Sequence, residues 1–167
     1  ILIMSVAYYW PVQEAYHPLN PEWDGCSKVA DTTNNTTLLF SYDKPLPGRS
    51  LLAVIGPGIE FSRKESSNVK SFLEAGGTVL LADDFGTGNS LLEALGVTAK
   101  FSKKPLADLL YHSKQPDFPL IINFSSSPVT ANITAILLNR PSYINVENSS
   151  QVNKLASSSP FSFIDLN

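Results

Sequence analysis

Two near-continuous apolar pentapeptides, Leu51-Leu52-Ala53-Val54-Ile55 and Thr78-Val79-Leu80-Leu81-Ala82, constrain this chain more than any other feature. Such runs, with no polar alternation, fit parallel strands covered on both faces. Between them, Ser62 and Glu65 form the S-x-x-E capping box that opens a helix. Val69, Phe72 and Leu73 repeat at helical spacing and make one apolar stripe. Gly76-Gly77 ends the helix, because glycine enters the left-handed C′ conformation at little cost. Strand, helix and strand in this order predict a right-handed crossover and a parallel pair.

The flanks are read from the same signals. Asp83-Asp84-Phe85-Gly86-Thr87-Gly88 is a turn. Asn89 or Ser90 then caps a short helix, Leu91–Leu95, and a third short strand covers Val97–Phe101. Upstream, a helix is expected near Gly25–Asp31 and a strand at Leu38–Ser41. Downstream, the pattern predicts a helix at Leu106–Tyr111 and a strand at Leu120–Phe124. A β region follows at Ile133–Val146, bent or at a sheet edge because of Pro141. Asn148–Ser159 reads as a polar loop.

Composition narrows the function classes. Of 167 residues, 43% are hydrophobic, enough for a core, whereas only 16% are charged. Ser, Thr and Asn fill the deficit. The net charge of −3 comes with no basic stripe, which argues against nucleic acid as a partner, since phosphate neutralisation needs clustered cations. A single cysteine, Cys26, excludes an intrachain disulfide framework and a Cys-cluster zinc site.

The first ten residues, ILIMSVAYYW, carry no charge. They are too short to span a bilayer, but fit either the last turns of an anchor, with Tyr8, Tyr9 and Trp10 at the interface, or a buried first strand. Residues 1–19 are read as the end of an anchor plus linker, and 20–167 as one α/β domain truncated at its C-terminal end. N-x-Ser/Thr triplets occur at Asn34, Asn35, Asn123, Asn132 and Asn148. Those at Asn34, Asn35 and Asn148 lie in polar, loop-like stretches and are the better glycosylation candidates. Asn123 and Asn132 lie in or beside apolar runs. Sequons, low charge and an anchor together suggest a domain at the cell membrane, facing the extracellular side.

The stretch GRSLLAVIGPGIEFSRKESSNVKSFLEAGGTVLLADDFGTGNSLLEALGV (Gly48–Val97) resembles the prokaryotic family catalogued as domain of unknown function 4350, as do Asn20–Ser27 and Phe161–Asn167. The loop Asp83–Leu92 resembles that of membrane-anchored archaeal members. This resemblance implies a fold like the class I glutamine amidotransferases: a flavodoxin-like three-layer α/β sandwich with a mainly parallel central sheet. It implies membrane attachment through the flanking segments, and it supplies no activity.

Catalysis of the amidotransferase type needs a nucleophile on a strand-to-helix elbow with a histidine base. No G-x-C-x-G or G-x-S-x-G occurs. Cys26 follows no convincing strand, and His17 and His112 read as structural or surface residues. The pair Asp83 and Asp84 stands at the C-terminal end of a predicted parallel strand, where open α/β sheets bind ligands. With Gly86, Thr87, Gly88 and Asn89, and with Gly56 and Gly58 of the neighbouring loop, it outlines a cleft. The two carboxylates could hold a hard divalent cation, or the glycine loop an anion; alternatively one Asp caps the turn and the glycines only serve the backbone. No cofactor is implied. The expectation is a non-catalytic, membrane-anchored extracytoplasmic domain for binding or assembly, with protein partners in a surface complex. The alternatives are a degenerate amidotransferase-like enzyme or small-ligand sensor using the Asp83–Asn89 cleft, and a structural subunit of a surface or membrane complex.

Overall fold

In the computed structural model the S-x-x-E signal is realised in full. The Ser62 hydroxyl accepts from the Glu65 amide at 3.3 Å, and the Glu65 carboxylate accepts from the Ser62 amide at 2.9 Å. The structure describes residues 13–32, 36–147, 150 and 152–164. The chain divides into two units, 1–42 and 43–167.

Among the described residues of the first unit, the regular element is α1 (Ser27–Asp31). Around it the chain is folded on Asn20, whose side chain is fully buried. Its Nδ2 donates to the Glu14 carbonyl and to Asp24 Oδ1, and its Oδ1 accepts from the Glu22 amide at 2.9 Å. Gly25 packs against the Asn20 backbone so closely that a methyl group there would collide with the Asn20 carbonyl. The strand expected at Leu38–Ser41 is not formed: this segment is irregular.

In the second unit, β1 (Leu51–Ile55) and β2 (Thr78–Ala82) pair in parallel, Leu51 opposite Thr78 and Ile55 opposite Ala82. The crossover helix is α2 (Arg63–Glu74). Leu52 and Val54 of β1 and Val69 and Phe72 of α2 are buried, each contributing about 1.5–3 kcal/mol from apolar burial. α3 (Asn89–Ala94) touches α2 and the long strand β3 (Ala99–Asp108), and buries Leu91. Its N-cap is Gly88, not Asn89 or Ser90. Replacing Ser62 by alanine is expected to cost about 1 kcal/mol, the usual value of an N-cap, read as a lower urea midpoint with an unchanged slope.

Beyond this point the architecture departs from the expected one. β3 does not extend the parallel sheet. It is the centre of an antiparallel sheet between β7 (Ser142–Val146) and β9 (Ser162–Ile164). β4 (Leu120–Ile121) pairs antiparallel with β6 (Ile136–Leu137), and β5 (Asn123–Phe124) with β8 (Ala156–Ser157). With 16% helix, 26% strand and one small parallel pair among the described residues, this is not a flavodoxin-like or amidotransferase-like three-layer sandwich. The physical reason lies in β3. Lys100, Lys103 and Lys104 are exposed along it, whereas Ala99, Phe101 and Ala107 are buried. A half-polar strand suits an antiparallel sheet with one wet face, and a doubly covered parallel sheet excludes it. The helix expected at Leu106–Tyr111 is likewise replaced: Leu106, Ala107 and Asp108 pair with Ile164, Phe163 and Ser162. Pro105 follows a register shift in β3, where Lys103 adopts φ 62°, the kind of irregularity at which a sheet tolerates proline. The polar tail read as a loop contains β8.

Candidate functional site

The loops after β1 and β2 do come together. The Gly56 amide donates to the Ala82 carbonyl at 2.8 Å. The Ser90 hydroxyl accepts from the Phe61 amide at 2.9 Å and donates to the Thr87 carbonyl at 3.0 Å, tying the first loop to the second. Gly58 is the outlier, since a methyl group placed on it would meet nothing within 4 Å.

Within this cluster the polar groups are turned onto the backbone. Asp83 is buried. Its Oδ1 accepts from the Phe85 amide at 2.8 Å and its Oδ2 from the Gly88 amide at 2.7 Å. Asp84 Oδ1 accepts from the Ser142 amide at 3.0 Å, joining the loop to the start of β7. Asn89 pairs with Phe101 as a strand would: Oδ1 accepts from the Phe101 amide at 2.8 Å, and Nδ2 donates to its carbonyl at 3.0 Å. Gly86 lies between the two Asp83-bonded amides at φ 77°, a left-handed conformation that glycine adopts without steric penalty. Asp83 thus shapes the turn, Asp84 anchors it and Asn89 bolts it to β3. No three His, Cys, Asp or Glu side chains converge as a metal-ligand group among the described residues. A cavity of about 200 Å³ is lined by Pro105, Leu106, Asp117 and Arg140, none of which belongs to the predicted cleft.

Cys26 and His17 sit in the first unit. The Cys26 amide donates to the His17 carbonyl at 3.1 Å, and His17 Nδ1 accepts from the Leu19 amide at 3.1 Å. Burial pushes the Cys26 thiol above its ordinary value, which disfavours the nucleophilic thiolate.

A second polar centre was not visible in the sequence. Asp108 is 1% exposed at the end of β3. Its Oδ1 accepts from the Leu110 amide at 2.9 Å and the Tyr111 amide at 2.8 Å, and its Oδ2 accepts from the Ser159 hydroxyl. Burial pushes this carboxyl up. The hydrogen bonds from Ser159, Tyr111 and Leu110, with the charge of nearby His112, outweigh burial and hold it below its ordinary value. Serine, histidine and aspartate are therefore neighbours here, but the serine proton is directed at the carboxylate. Ser159 Oγ also accepts from the Phe161 amide at 3.0 Å. Transfer to an imidazole, as nucleophilic catalysis requires, is not how this hydroxyl is wired. His112 Nδ1 is buried without a hydrogen-bond partner.

Of the sequons, Asn34, Asn35 and Asn148 lie outside the described residues, as do the first ten residues and Asp165–Asn167. Asn123 and Asn132, expected to be hampered by apolar surroundings, are both exposed. No helix among the described residues is long and apolar enough to cross a membrane.

Fold and site together define a sheet-rich, mainly antiparallel second unit with short helices, whose most conspicuous loop cluster is bonded to itself. Over residues 18–132 of 167 the chain matches the model of a domain of unknown function, DUF4350, and it belongs to that family. No curated protein matches the chain significantly, and no solved structure does.

Proposed function

We propose that this chain is a non-catalytic binding or assembly domain, tethered at a membrane and facing the cell exterior. The observation that supports it most is the uncovered face of the parallel pair. Leu51, Ala53, Leu80 and Ala82 point away from α2 and are exposed, so that face is apolar except for Thr78. Parallel strands are normally covered on both sides, and an exposed apolar patch of this kind marks an interaction surface. In contrast, the groups that would do chemistry at the strand ends are occupied by backbone amides. The tether and the outward orientation draw on the charge-free first ten residues, the five sequons and the scarcity of charge.

Labelling of intact cells with a membrane-impermeant lysine reagent tests the orientation. The expected result is modification of exposed lysines such as Lys64 and Lys114 before lysis, with the chain retained in the membrane fraction. Labelling only after lysis overturns the outward reading. Hydrolytic activity that disappears in Cys26→Ala overturns the non-catalytic one.

A further inference from the structure

We propose that Asn132, in the turn at residues 130–133, is an N-glycosylation site, the acceptor of an oligosaccharide carried on a polyprenyl phosphate. The inference rests on the outward orientation proposed above, because N-glycans mark surface loops of chains outside the cytoplasm. Asn132, Ile133 and Thr134 form an N-x-Thr triplet, and all three are exposed. The Ile133 amide donates to the Thr130 carbonyl at 3.1 Å and closes the turn. Asn132 takes its third position at φ 65°, a left-handed conformation that asparagine tolerates better than most residues. The turn is fixed from within its own loop, since the Thr130 hydroxyl donates to the Ser125 carbonyl at 2.6 Å and to the Ser127 carbonyl at 3.2 Å. Among the described residues the Asn132 carboxamide and the Thr134 hydroxyl make no hydrogen bond. Both groups that a glycosylating enzyme must engage are thus presented at the surface on a preformed turn.

Turn geometry explains an asparagine at 132 but not a threonine at 134, which stands in irregular, exposed chain. The sequon gives that hydroxyl a use. Asn123 is the internal contrast. It lies in β5, paired with β8, and its Nδ2 donates to the Ser158 carbonyl at 3.5 Å. The Ser125 amide of the same triplet donates to the Leu155 carbonyl at 2.9 Å. An enzyme reaches that triplet only by opening the β5–β8 pair, whereas residues 132–134 are tied by the single turn bond of Ile133 among the described residues. Val129, beside the turn, is 70% exposed and Ile133 within it 38%. A bulky, hydrophilic glycan at this place shields apolar side chains that otherwise stand in water. In the transfer, Asn132 Nδ2 attacks the anomeric carbon of the donor's first sugar. A carbon–nitrogen bond forms as the bond from that carbon to the phosphate oxygen breaks. The polyprenyl phosphate leaves with the electron pair, and one amide proton passes to a base of the transferase.

The test is peptide mapping by mass spectrometry of the full chain isolated from its native cells, with fragmentation that keeps the glycan attached. Expected is a sugar mass on Asn132 and a bare Asn123. Thr134→Ala leaves the turn asparagine in place and should lower occupancy at least tenfold, whereas Thr134→Ser should retain most of it. Asn132→Gly keeps the left-handed turn and should abolish the modification. A bare Asn132, a glycan on Asn123 in its stead, or occupancy that survives Thr134→Ala each overturns the proposal. Lysine labelling of the same intact cells separates this failure from that of the outward reading. A bare Asn132 on chain that is labelled before lysis overturns the site alone. A bare Asn132 on chain that is labelled only after lysis overturns the orientation with it.

Discussion

Replacing Asp108 by alanine is expected to destabilise the second unit by about 4 kcal/mol, the largest effect we foresee for a single polar side chain. The magnitude follows from what the change leaves behind. The Ser159 hydroxyl and the Leu110 and Tyr111 amides all donate to this carboxylate, hydrogen bonds to a charged group are worth about 1.5–3 kcal/mol each, and stranded buried donors add their own desolvation penalty. Asp108→Asn keeps the shape but supplies a single acceptor oxygen, and should cost about 2 kcal/mol. The pH dependence separates charge from shape. The folded carboxyl sits below the ordinary value of 3.8, so the unfolded chain binds the proton first as pH falls. The stabilisation is complete above that ordinary value and is lost as pH drops through the lower folded one. Urea unfolding between pH 5 and pH 2 should show a steep acid loss for the parent chain and a flatter one for Asp108→Asn. Parallel acid limbs would assign the acid sensitivity to another group.

Asp108 also shows where sequence reasoning runs out. In Leu106-Ala107-Asp108-Leu109-Leu110-Tyr111 the local preference is helical, since Leu and Ala are good helix formers. A long-range partner decides otherwise: Phe161–Ile164, more than fifty residues on, supplies both the antiparallel pairing and, through nearby Ser159, the carboxylate's hydrogen bond. No local window contains that information. The α2 region is the opposite case. Its cap, stripe and glycine stop are all encoded within sixteen residues, Ser62–Gly77, and every one of them forms. The parallel pair flanking it was legible for the same reason. What the apolar runs could not reveal is how many strands join them, and the lysines of β3 were the available signal that this strand belongs to a sheet with a wet face. Asn20 was passed over too, because a polar residue between Leu19 and Pro21 reads as loop. Only the folded first unit shows it buried and bonded on both sides of its amide.

The loops of the candidate cleft come together, and Asp83→Ala is the variant that separates a turn-shaping role for its carboxylates from a ligand-binding one. It removes the acceptor for the Phe85 and Gly88 amides in a buried position. The expected cost is about 3 kcal/mol, or roughly 6–12 °C in melting temperature for a chain of this size. The loss should propagate, because the turn places Asn89 against Phe101 and Ser90 against Phe61. Asp84→Ala removes one bond from a half-buried carboxylate and should cost about 1 kcal/mol. A metal role makes a different forecast. A cation bound by these carboxylates in the native state would raise the melting temperature of the parent chain in proportion to its occupancy, and either alanine variant would abolish that rise. Melting curves with and without millimolar magnesium or calcium are therefore expected to coincide for the parent chain. Both Asp83 oxygens and Asp84 Oδ1 already accept from backbone amides, and no third ligating His, Cys, Asp or Glu side chain converges on them among the described residues, which is why no rise is expected.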